Sequence, residues 1–177
     1  MEGYIRKARR NDLAAVEGIY DGIHTAEEKG MACVGWKRGV YPTRRTAEDA
    51  LERGDLFVEE AEGRVVGAAI INREQVDVYA KVPWLYPAAA EEVMVLHTLV
   101  IDPAESGKGL GREFVAFYER YAAQMGCSCL RMDTNARNTG ARRLYQMLGY
   151  REAGIVPCVF NGLAGVDLVM LEKRIGK

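Results

Sequence analysis

The stretch VMVLHTLVIDPAESGKGLGR, residues 93–112, decides the fold. Its first nine residues are apolar except for His97 and Thr98, and such a run predicts a central β-strand buried on both faces. The Asp102-Pro103 pair ends this strand, because proline donates no N–H to a sheet and restricts the residue before it. A glycine-rich loop and a helical pattern follow directly, so this stretch predicts the order strand, loop, helix.

The loop at residues 106–112 has the composition of a phosphate-binding site. Glycines let the backbone approach an anion closely, and the unpaired N–H groups at the start of a helix point towards it. Lys108 and Arg112 add positive charge at the same place. The spacing does not fit a P-loop, and Arg112 replaces the third glycine of a dinucleotide-binding loop. We therefore predict a phosphate site of another type, with a glycine-rich turn that binds no ligand as the alternative.

Two sequence motifs resemble those of the GNAT superfamily of N-acetyltransferases. Residues 99–103, LVIDP, together with Gly109-Leu110-Gly111, are similar to its motif A, although Ser106 stands where the superfamily usually has Gln or Arg. Residues 138–150, NTGARRLYQMLGY, match every defining position of its motif B, N-x-x-A-x-x-L-Y-x-x-x-G-[FY]. The two motifs also occur in the order that the superfamily has.

This resemblance implies a fold and a cofactor. The fold is of the α/β class (α+β by some schemes), with a mixed, mostly antiparallel central sheet of about seven strands flanked by helices, in one domain over residues 1–177. The cofactor is acetyl-CoA, whose pantetheine arm would pair with the central strand and whose pyrophosphate would lie at the helix start. The residues implied in cofactor binding are Leu99, Val100, Ile101, Ser106, Gly107, Lys108, Gly109, Leu110, Gly111, Arg112 and Asn138.

The resemblance further implies that Tyr145 is the general acid, which protonates the leaving thiolate. Tyr145 falls on the apolar face of the motif B helix, so a core tyrosine without a catalytic role is the alternative. A backbone N–H near Ile101 would stabilise the oxyanion that forms during acyl transfer.

The general base is assigned to His97. Many relatives carry Glu at this position, and a histidine is well matched to proton transfer near pH 7. Strand alternation predicts that His97 shares one face of the strand with Leu99 and Ile101. The alternatives are a hydrogen-bonded core histidine at this position, or Glu91 and Glu92 acting as bases through water.

The acceptor site is predicted from aromatic residues in two irregular segments. Residues 26–39 are expected to form a second short helix and then a loop, and in the resembling superfamily this region forms one side of the acceptor site. Trp36 and Tyr41 are therefore substrate candidates, with core packing as the alternative. Residues 73–92 contain Trp84 as a third candidate, and we interpret them either as a lid beside the acceptor site or as a surface flap packed only on itself.

Bulk properties argue against several classes of function. The net charge of −1 provides no basic footprint for nucleic acid or for an anionic membrane. The first residues contain no apolar stretch of signal-peptide length, and no apolar run approaches the roughly 20 residues of a membrane span. The cysteines and the two histidines form no zinc pattern, so no metal is predicted, and thiols of this kind favour a reducing cytoplasm. The cysteines are Cys33, Cys127, Cys129 and Cys158.

The predicted function is transfer of the acetyl group of acetyl-CoA to a primary amine of a small molecule. Two other functions stay open at this point. One is acetylation of a protein or peptide, which would need an open groove, and the other is a non-catalytic acyl-CoA-binding regulatory module. The sequence identifies neither the acceptor nor the oligomeric state, for which a homodimer is one option.

Overall fold

The computed structural model describes residues 4–176 of the chain. Within this range the strands are β1 (Tyr4–Lys7), β2 (Leu56–Ala61), β3 (Arg64–Asn72), β4 (Val93–Ile101), β5 (Cys129–Asn135), β6 (Arg151–Phe160) and β7 (Leu163–Arg174). The α-helices are α1 (Leu13–Glu28), α2 (Arg44–Arg53), α3 (Leu110–Gln124) and α4 (Thr139–Met147). None of the helices in this range is both long and apolar enough to cross a membrane.

The strands form one sheet in the order β1-β2-β3-β4-β5-β7-β6. Neighbouring strands are antiparallel except for β4 and β5, which run parallel. Helix α3 lies in the connection between these two strands, because a parallel pair needs a long crossover. The prediction of a mixed, mostly antiparallel sheet of about seven strands flanked by helices is confirmed.

Strand β4 is the centre of the core, as its apolar run predicts. Met94 and Leu96 belong to the cluster that α3 covers on one face of the sheet. Val93 and Val95 pack on the opposite face, in a cluster with Tyr79. Burying a side chain of this size contributes about 1.5–3 kcal/mol, so a strand buried on both faces anchors the two layers around it.

A β-bulge at Thr98 reverses the alternation of β4. The pairing with β3 shifts register between His97 and Val100, and Thr98 has a φ of +52°, which is rare for a β-branched residue. After the bulge, Leu99 and Ile101 pack on the face that α3 covers. The prediction that His97 shares a face with Leu99 and Ile101 is therefore wrong, because a period of two does not continue through a bulge.

Strands β4 and β5 diverge after four residue pairs. Their parallel pairing runs from Val93 opposite Cys129 to Leu96 opposite Met132 and then stops. Beyond this point β4 continues alongside β3, whereas β5 continues alongside β7 as far as Asn135. The sheet therefore opens at the carboxyl ends of its two parallel strands, which is where ligands bind in many folds with parallel strands.

Residues 26–39 do not contain the second short helix that the sequence predicts. Helix α1 instead continues to Glu28, and the chain then forms a loop. The carboxylate of Glu27 accepts the N–H of Val34 at 2.7 Å and the N–H of Gly35 at 3.2 Å. These two hydrogen bonds fix the loop on the end of α1 and make the N–H groups of Val34 and Gly35 unavailable to a further helix.

Residues 73–92 are held against the sheet. The hydroxyl of Tyr79 donates to Asp133 of β5 at 2.7 Å, and the N–H of Leu85 donates to the fully buried Glu172 of β7 at 2.8 Å. A surface flap packed only on itself would make neither contact, so that alternative is wrong. The segment instead covers the face of β5 and β7 next to the split.

Candidate active site

The divergence of β4 and β5 opens a cavity of about 130 Å³. Four parts of the chain form most of its wall: the loop after α1, the two diverging strands, the start of α4 and the β6–β7 hairpin. The principal lining residues are Val34, Gly35, Trp36, Tyr41, Leu96, His97, Thr98, Leu99, Asp133, Thr134, Asn135, Asn138, Ala141, Tyr145, Phe160, Asn161 and Leu163. The cavity is therefore built around the bulge of β4.

One edge of β4 is available at the cavity. Within residues 4–176, no strand pairs with the side of β4 that faces β5 beyond Leu96. Leu99 lines the cavity, while Val100 and Ile101 keep their partners in β3 on the other side. Free backbone groups at such an edge can bind an extended ligand as an added strand would. The assignment of residues 99–101 to the pantetheine arm agrees with this geometry and stays a prediction.

The loop before α3 presents a row of backbone N–H groups. Gly107 and Gly109 have φ values of +81° and +88°, and Gly109 is the N-cap of α3. In the described part of the chain, none of the N–H groups of residues 107–111 has a hydrogen-bond acceptor. A Cβ built on either glycine would meet no atom within 4 Å, so the loop is open on its outer side. This arrangement suits a bound pyrophosphate.

The side chains of the same loop differ in how far they are free to contact an anion. Lys108 forms an ion pair of 2.5 Å with Glu105, which Arg64 contacts at 3.1 Å, and these partners hold the pKa of the Glu105 carboxyl below its usual value. Ser106 and Arg112 are exposed, whereas Leu110 is buried, so Leu110 can offer a ligand only its backbone N–H. Lys108 must leave or share Glu105 to contact an anion.

Helix α4 packs on the start of α3. The side chain of Asn138 accepts the N–H of Ala141 at 3.2 Å and so caps the helix, as its sequence position predicts. Asn138 also lines the cavity. A Cβ built on Gly111 of α3 would lie 3.6 Å from the side chain of Leu144. The start of α3 therefore packs against the second half of α4.

Tyr145 lies in α4 with its side chain at the cavity. Its ring packs edge-on against Tyr150 at a centroid distance of 6.0 Å, which fixes its direction. Burial, with a smaller effect from Asp133, raises the pKa of the Tyr145 hydroxyl, so this group stays protonated at neutral pH. Its hydroxyl makes no hydrogen bond to any residue in the range 4–176. A protonated hydroxyl of this kind is a suitable proton donor.

His97 also lines the cavity and belongs to a hydrogen-bond chain. Its Nε2 lies 3.0 Å from Oδ1 of Asn72, an oxygen that also accepts the N–H of Glu74, while Nδ2 of Asn72 donates to Asp55. Because Oδ1 can only accept, Nε2 carries the proton and Nδ1 is the basic nitrogen. Burial lowers the pKa of the imidazole, which keeps it neutral at pH 7.

The alternative bases lie elsewhere. Glu91 and Glu92 form part of a short 3₁₀ turn before β4, and neither is among the described residues that line the cavity. A strand rises about 3.3 Å per residue, so Glu92 is about 16 Å from His97 along β4. Of these three candidates, His97 is the one that the fold brings to the cavity.

Asp133 is a cavity residue that the sequence did not reveal. It lies near the end of β5, and Oδ2 accepts the hydroxyl of Tyr79 at 2.7 Å. Burial raises the pKa of its carboxyl to about 6. Its position in the sequence could have indicated this role, because Asp133 is an acidic residue near the end of a strand that runs parallel to the central strand.

Two of the three predicted substrate residues lie at the cavity. Trp36 and Tyr41 both line it and contact each other edge-on at 6.0 Å between ring centroids. The hydroxyl of Tyr41 is hydrogen-bonded to the side chain of Thr98 at the bulge. His24 of α1 donates from Nε2 to the carbonyl oxygen of Pro42 at 2.9 Å, which holds the end of this loop in place.

Trp84 occupies a different position. Among the described residues, it is not part of the cavity wall. Its indole N–H donates to the carbonyl oxygen of Tyr79 at 2.9 Å, its ring packs on that of Tyr79 at 5.3 Å, and the guanidinium of Arg131 lies 4.3 Å from the indole ring. Trp84 therefore supports Tyr79 from behind and does not face a ligand in the cavity.

Comparison with known proteins agrees with this architecture. The model of the acetyltransferase (GNAT) family matches residues 21–150. YhfO of Bacillus subtilis (strain 168), named an uncharacterized N-acetyltransferase, is 26% identical over 151 residues, which are 84% of this chain and 89% of that relative.

Two solved structures share the fold. A GNAT-family acetyltransferase from Streptococcus agalactiae 2603 has a TM-score of 0.81 at 22% identity and covers 99% of this chain and 96% of its own. The acetyltransferase yncA from Salmonella typhimurium, solved with its cofactor acetyl-CoA, has a TM-score of 0.71 at 21% identity and covers 100% and 96%. Because the family model spans more than half of the sequence, the chain belongs to the acetyltransferase (GNAT) family and is an acetyl-CoA-dependent acetyltransferase.

Proposed function

We propose that the protein transfers the acetyl group of acetyl-CoA to the primary amine of a small molecule, in the cavity between β4 and β5. The observation that carries this proposal is a convergence at one place. The free edge of β4 and a protonated Tyr145 border the split in the sheet. The loop with the open N–H groups of residues 107–111 follows the end of β4, and a Cβ built on its Gly111 would lie 3.9 Å from Ile101.

The residues around the split fit the cofactor. The N–H groups of residues 107–111 would hold the pyrophosphate, with Arg112 and, after it releases Glu105, Lys108 as charged partners. The free edge of β4 would hold the extended pantetheine arm. Acetyl-CoA supplies the acetyl group as a thioester.

Two side chains would move protons during transfer. His97 takes a proton from the amine at Nδ1, directly or through one water, since its Nε2 is committed to Asn72. The amine nitrogen then forms a bond to the thioester carbonyl carbon, and the bond from that carbon to sulfur breaks. Tyr145 gives its hydroxyl proton to the departing sulfur. A backbone N–H at the edge of β4 stabilises the oxyanion in between.

The enclosure of the cavity supports a small acceptor. A protein or peptide acceptor needs an open groove along the sheet. Here the loop that carries Trp36 and Tyr41 forms one wall, and the β6–β7 hairpin with Phe160 forms another. Residues 73–92 are ordered along β5 and β7 and do not stand away from the sheet to leave such a groove.

The polar groups of the cavity support catalysis over a binding role alone. A module that only binds acyl-CoA needs no neutral histidine with a fixed tautomer, and it gains nothing from a protonated tyrosine without a hydrogen-bond partner in the described chain. His97 and Tyr145 have these properties at opposite sides of the split. We also assign the protein to the cytoplasm, which its four unpaired cysteines support.

The test is a thiol-release assay with acetyl-CoA against a broad panel of amines and short peptides. We expect turnover with at least one small primary amine and a product that carries one additional acetyl group by mass. Turnover with peptides alone would contradict the small-molecule assignment. Binding of acetyl-CoA without turnover of any panel member would favour the regulatory module.

A further inference from the structure

Asp133 presents one carboxylate oxygen to the cavity. Its Oδ2 is held by the hydroxyl of Tyr79 at 2.7 Å, whereas Oδ1 has no hydrogen-bond donor among residues 4–176. Asp133 lines the cavity, so this oxygen is reachable from inside it. A carboxylate with one oxygen fixed and the other open is a prepared acceptor for a charged donor.

No cationic side chain of residues 4–176 is bonded to this oxygen. Among the described residues that line the cavity there is neither Lys nor Arg. Arg131 lies two residues earlier on the same face of β5, but it is engaged by Gln75, by the carbonyl oxygen of Tyr86 and by the ring of Trp84. Asp133 is half-buried, and a partly desolvated carboxylate without a cation is unfavourable, so a positively charged ligand group would relieve that penalty.

We propose that Asp133 binds the ammonium group of the acceptor and that the cavity therefore selects amines without a neighbouring carboxylate, such as arylalkylamines, over α-amino acids. This inference rests on the proposed function and names its substrate class. The aromatic walls formed by Trp36, Tyr41 and Phe160 suit an apolar or aromatic body and a cationic head. A carboxylate beside the amine would face Asp133 and find no basic side chain.

Tyr79 is the positioning residue of this site. Its hydroxyl fixes Oδ2 of Asp133, and Trp84 fixes Tyr79 through a hydrogen bond of 2.9 Å and an edge-on ring contact. Val76 of the segment 73–92 lines the cavity itself, whereas Tyr79 and Trp84 lie one layer behind the wall and act on the acceptor through Asp133.

The pH dependence of amine binding follows from the groups around Asp133. Tyr79, Tyr41, Tyr145, Cys158 and His97 are the titratable neighbours, and burial raises the pKa of Asp133 to about 6. Amine binding should therefore weaken as the pH falls through about 6. Tyr79→Phe removes a hydrogen bond to the ionised form, so it should move this limb to higher pH.

The experiment compares matched amines that differ by one carboxylate: tyramine with tyrosine, tryptamine with tryptophan, and phenylethylamine with phenylalanine. Like charges placed together are strongly unfavourable, so we expect kcat/KM to favour the carboxylate-free member by at least about 100-fold. Equal rates, or a preference for the amino acid, would overturn the inference while leaving the acetyltransferase proposal intact. Phenylalaninamide, which has a neutral amide at the same place, should resemble phenylethylamine.

A binding measurement makes the result independent of turnover. Calorimetric titration of the three amines into the CoA-bound protein should show binding that Asp133→Asn weakens by about 10- to 100-fold, as expected for loss of a charge-assisted hydrogen bond. Asp167→Asn, an exposed change on β7, is the control and should bind like the original protein. Absence of amine binding to the unchanged protein, or undiminished binding to Asp133→Asn, would reject the role of Asp133.

Discussion

Gly109→Asp should abolish acetyl-CoA binding without unfolding the protein. Gly109 is the N-cap of α3 and has a φ of +88°, and a Cβ at this position meets no atom within 4 Å. An aspartate side chain therefore fits sterically, and aspartate is among the preferred N-cap residues. Its carboxylate would accept the N–H groups that are otherwise open to a phosphate and would place a negative charge beside them.

The loss of stability that Gly109→Asp causes can be separated from the loss of stabilisation by acetyl-CoA. A non-glycine residue in the left-handed conformation costs about 1–2 kcal/mol, which lowers the melting temperature of a chain of this size by roughly 2–8 °C. Acetyl-CoA at 100 times its dissociation constant adds about 2.7 kcal/mol to the free energy of unfolding, or about 5–10 °C. The first effect lowers the melting temperature of the protein without ligand. The second is the rise in melting temperature with acetyl-CoA, which the substitution should remove.

Gly63→Asp is the matched control for thermal denaturation with and without acetyl-CoA. Gly63 lies in the turn between β2 and β3, has a φ of +73°, and likewise has no atom within 4 Å of an added Cβ. We expect both variants to melt earlier, with the full acetyl-CoA shift in Gly63→Asp and none in Gly109→Asp. A normal shift in Gly109→Asp, or an equal shift of the unchanged protein with ATP, would refute the assignment of the loop.

Three further predictions concern the cavity. His97→Gln should lower turnover by about 10²–10⁴-fold and remove the acidic limb of the pH profile of kcat. In the unchanged protein this limb should lie below pH 6.5, because burial lowers the pKa of the imidazole, and an unchanged limb in the variant would exclude His97 as the base. Trp84→Ala should raise the KM for the amine, because Tyr79 loses its support, while calorimetry should find an acetyl-CoA affinity within about threefold of that of the unchanged protein. A weakened acetyl-CoA affinity with an unchanged KM for the amine would contradict the position of Trp84 behind the acceptor site. Asp133→Asn should raise the free energy of unfolding at pH 8 by about 3 kcal/mol, because the penalty for a carboxyl whose pKa is raised to about 6 builds up between pH 3.8 and 6. This gain should vanish in denaturation experiments below pH 4, and no gain at pH 8 would contradict an unpaired charge on the half-buried Asp133.

Much of the fold could be predicted from the sequence, because its strongest signals are local. The apolar run of β4 and the two motifs at residues 99–111 and 138–150 each depend on neighbouring residues, and the structure has the corresponding strand and helices. The same signals identified the open glycine loop and the cap at Asn138.

The parts that could not be predicted depend on contacts between distant segments. The bulge at Thr98 arises in the pairing of β4 with β3, so the sequence of β4 alone gave the wrong face for Leu99. Asp133 becomes a site residue only because β5 leaves β4 and because Tyr79 arrives from another segment. Trp84 is an aromatic residue in an irregular segment, which is typical of a ligand contact, but tertiary packing directs it against Tyr79.

Tyr145→Phe tests the central claim most directly. The substitution removes the hydroxyl and keeps the ring that packs on Tyr150, so fold and acetyl-CoA affinity should persist. The measurement is the steady-state rate of thiol release at saturating acetyl-CoA and amine. We predict that the phenylalanine variant is slower by about 10²–10⁴-fold, the usual value of a general acid. An undiminished rate would show that Tyr145 is a core residue and that the proton for the departing sulfur comes from another group.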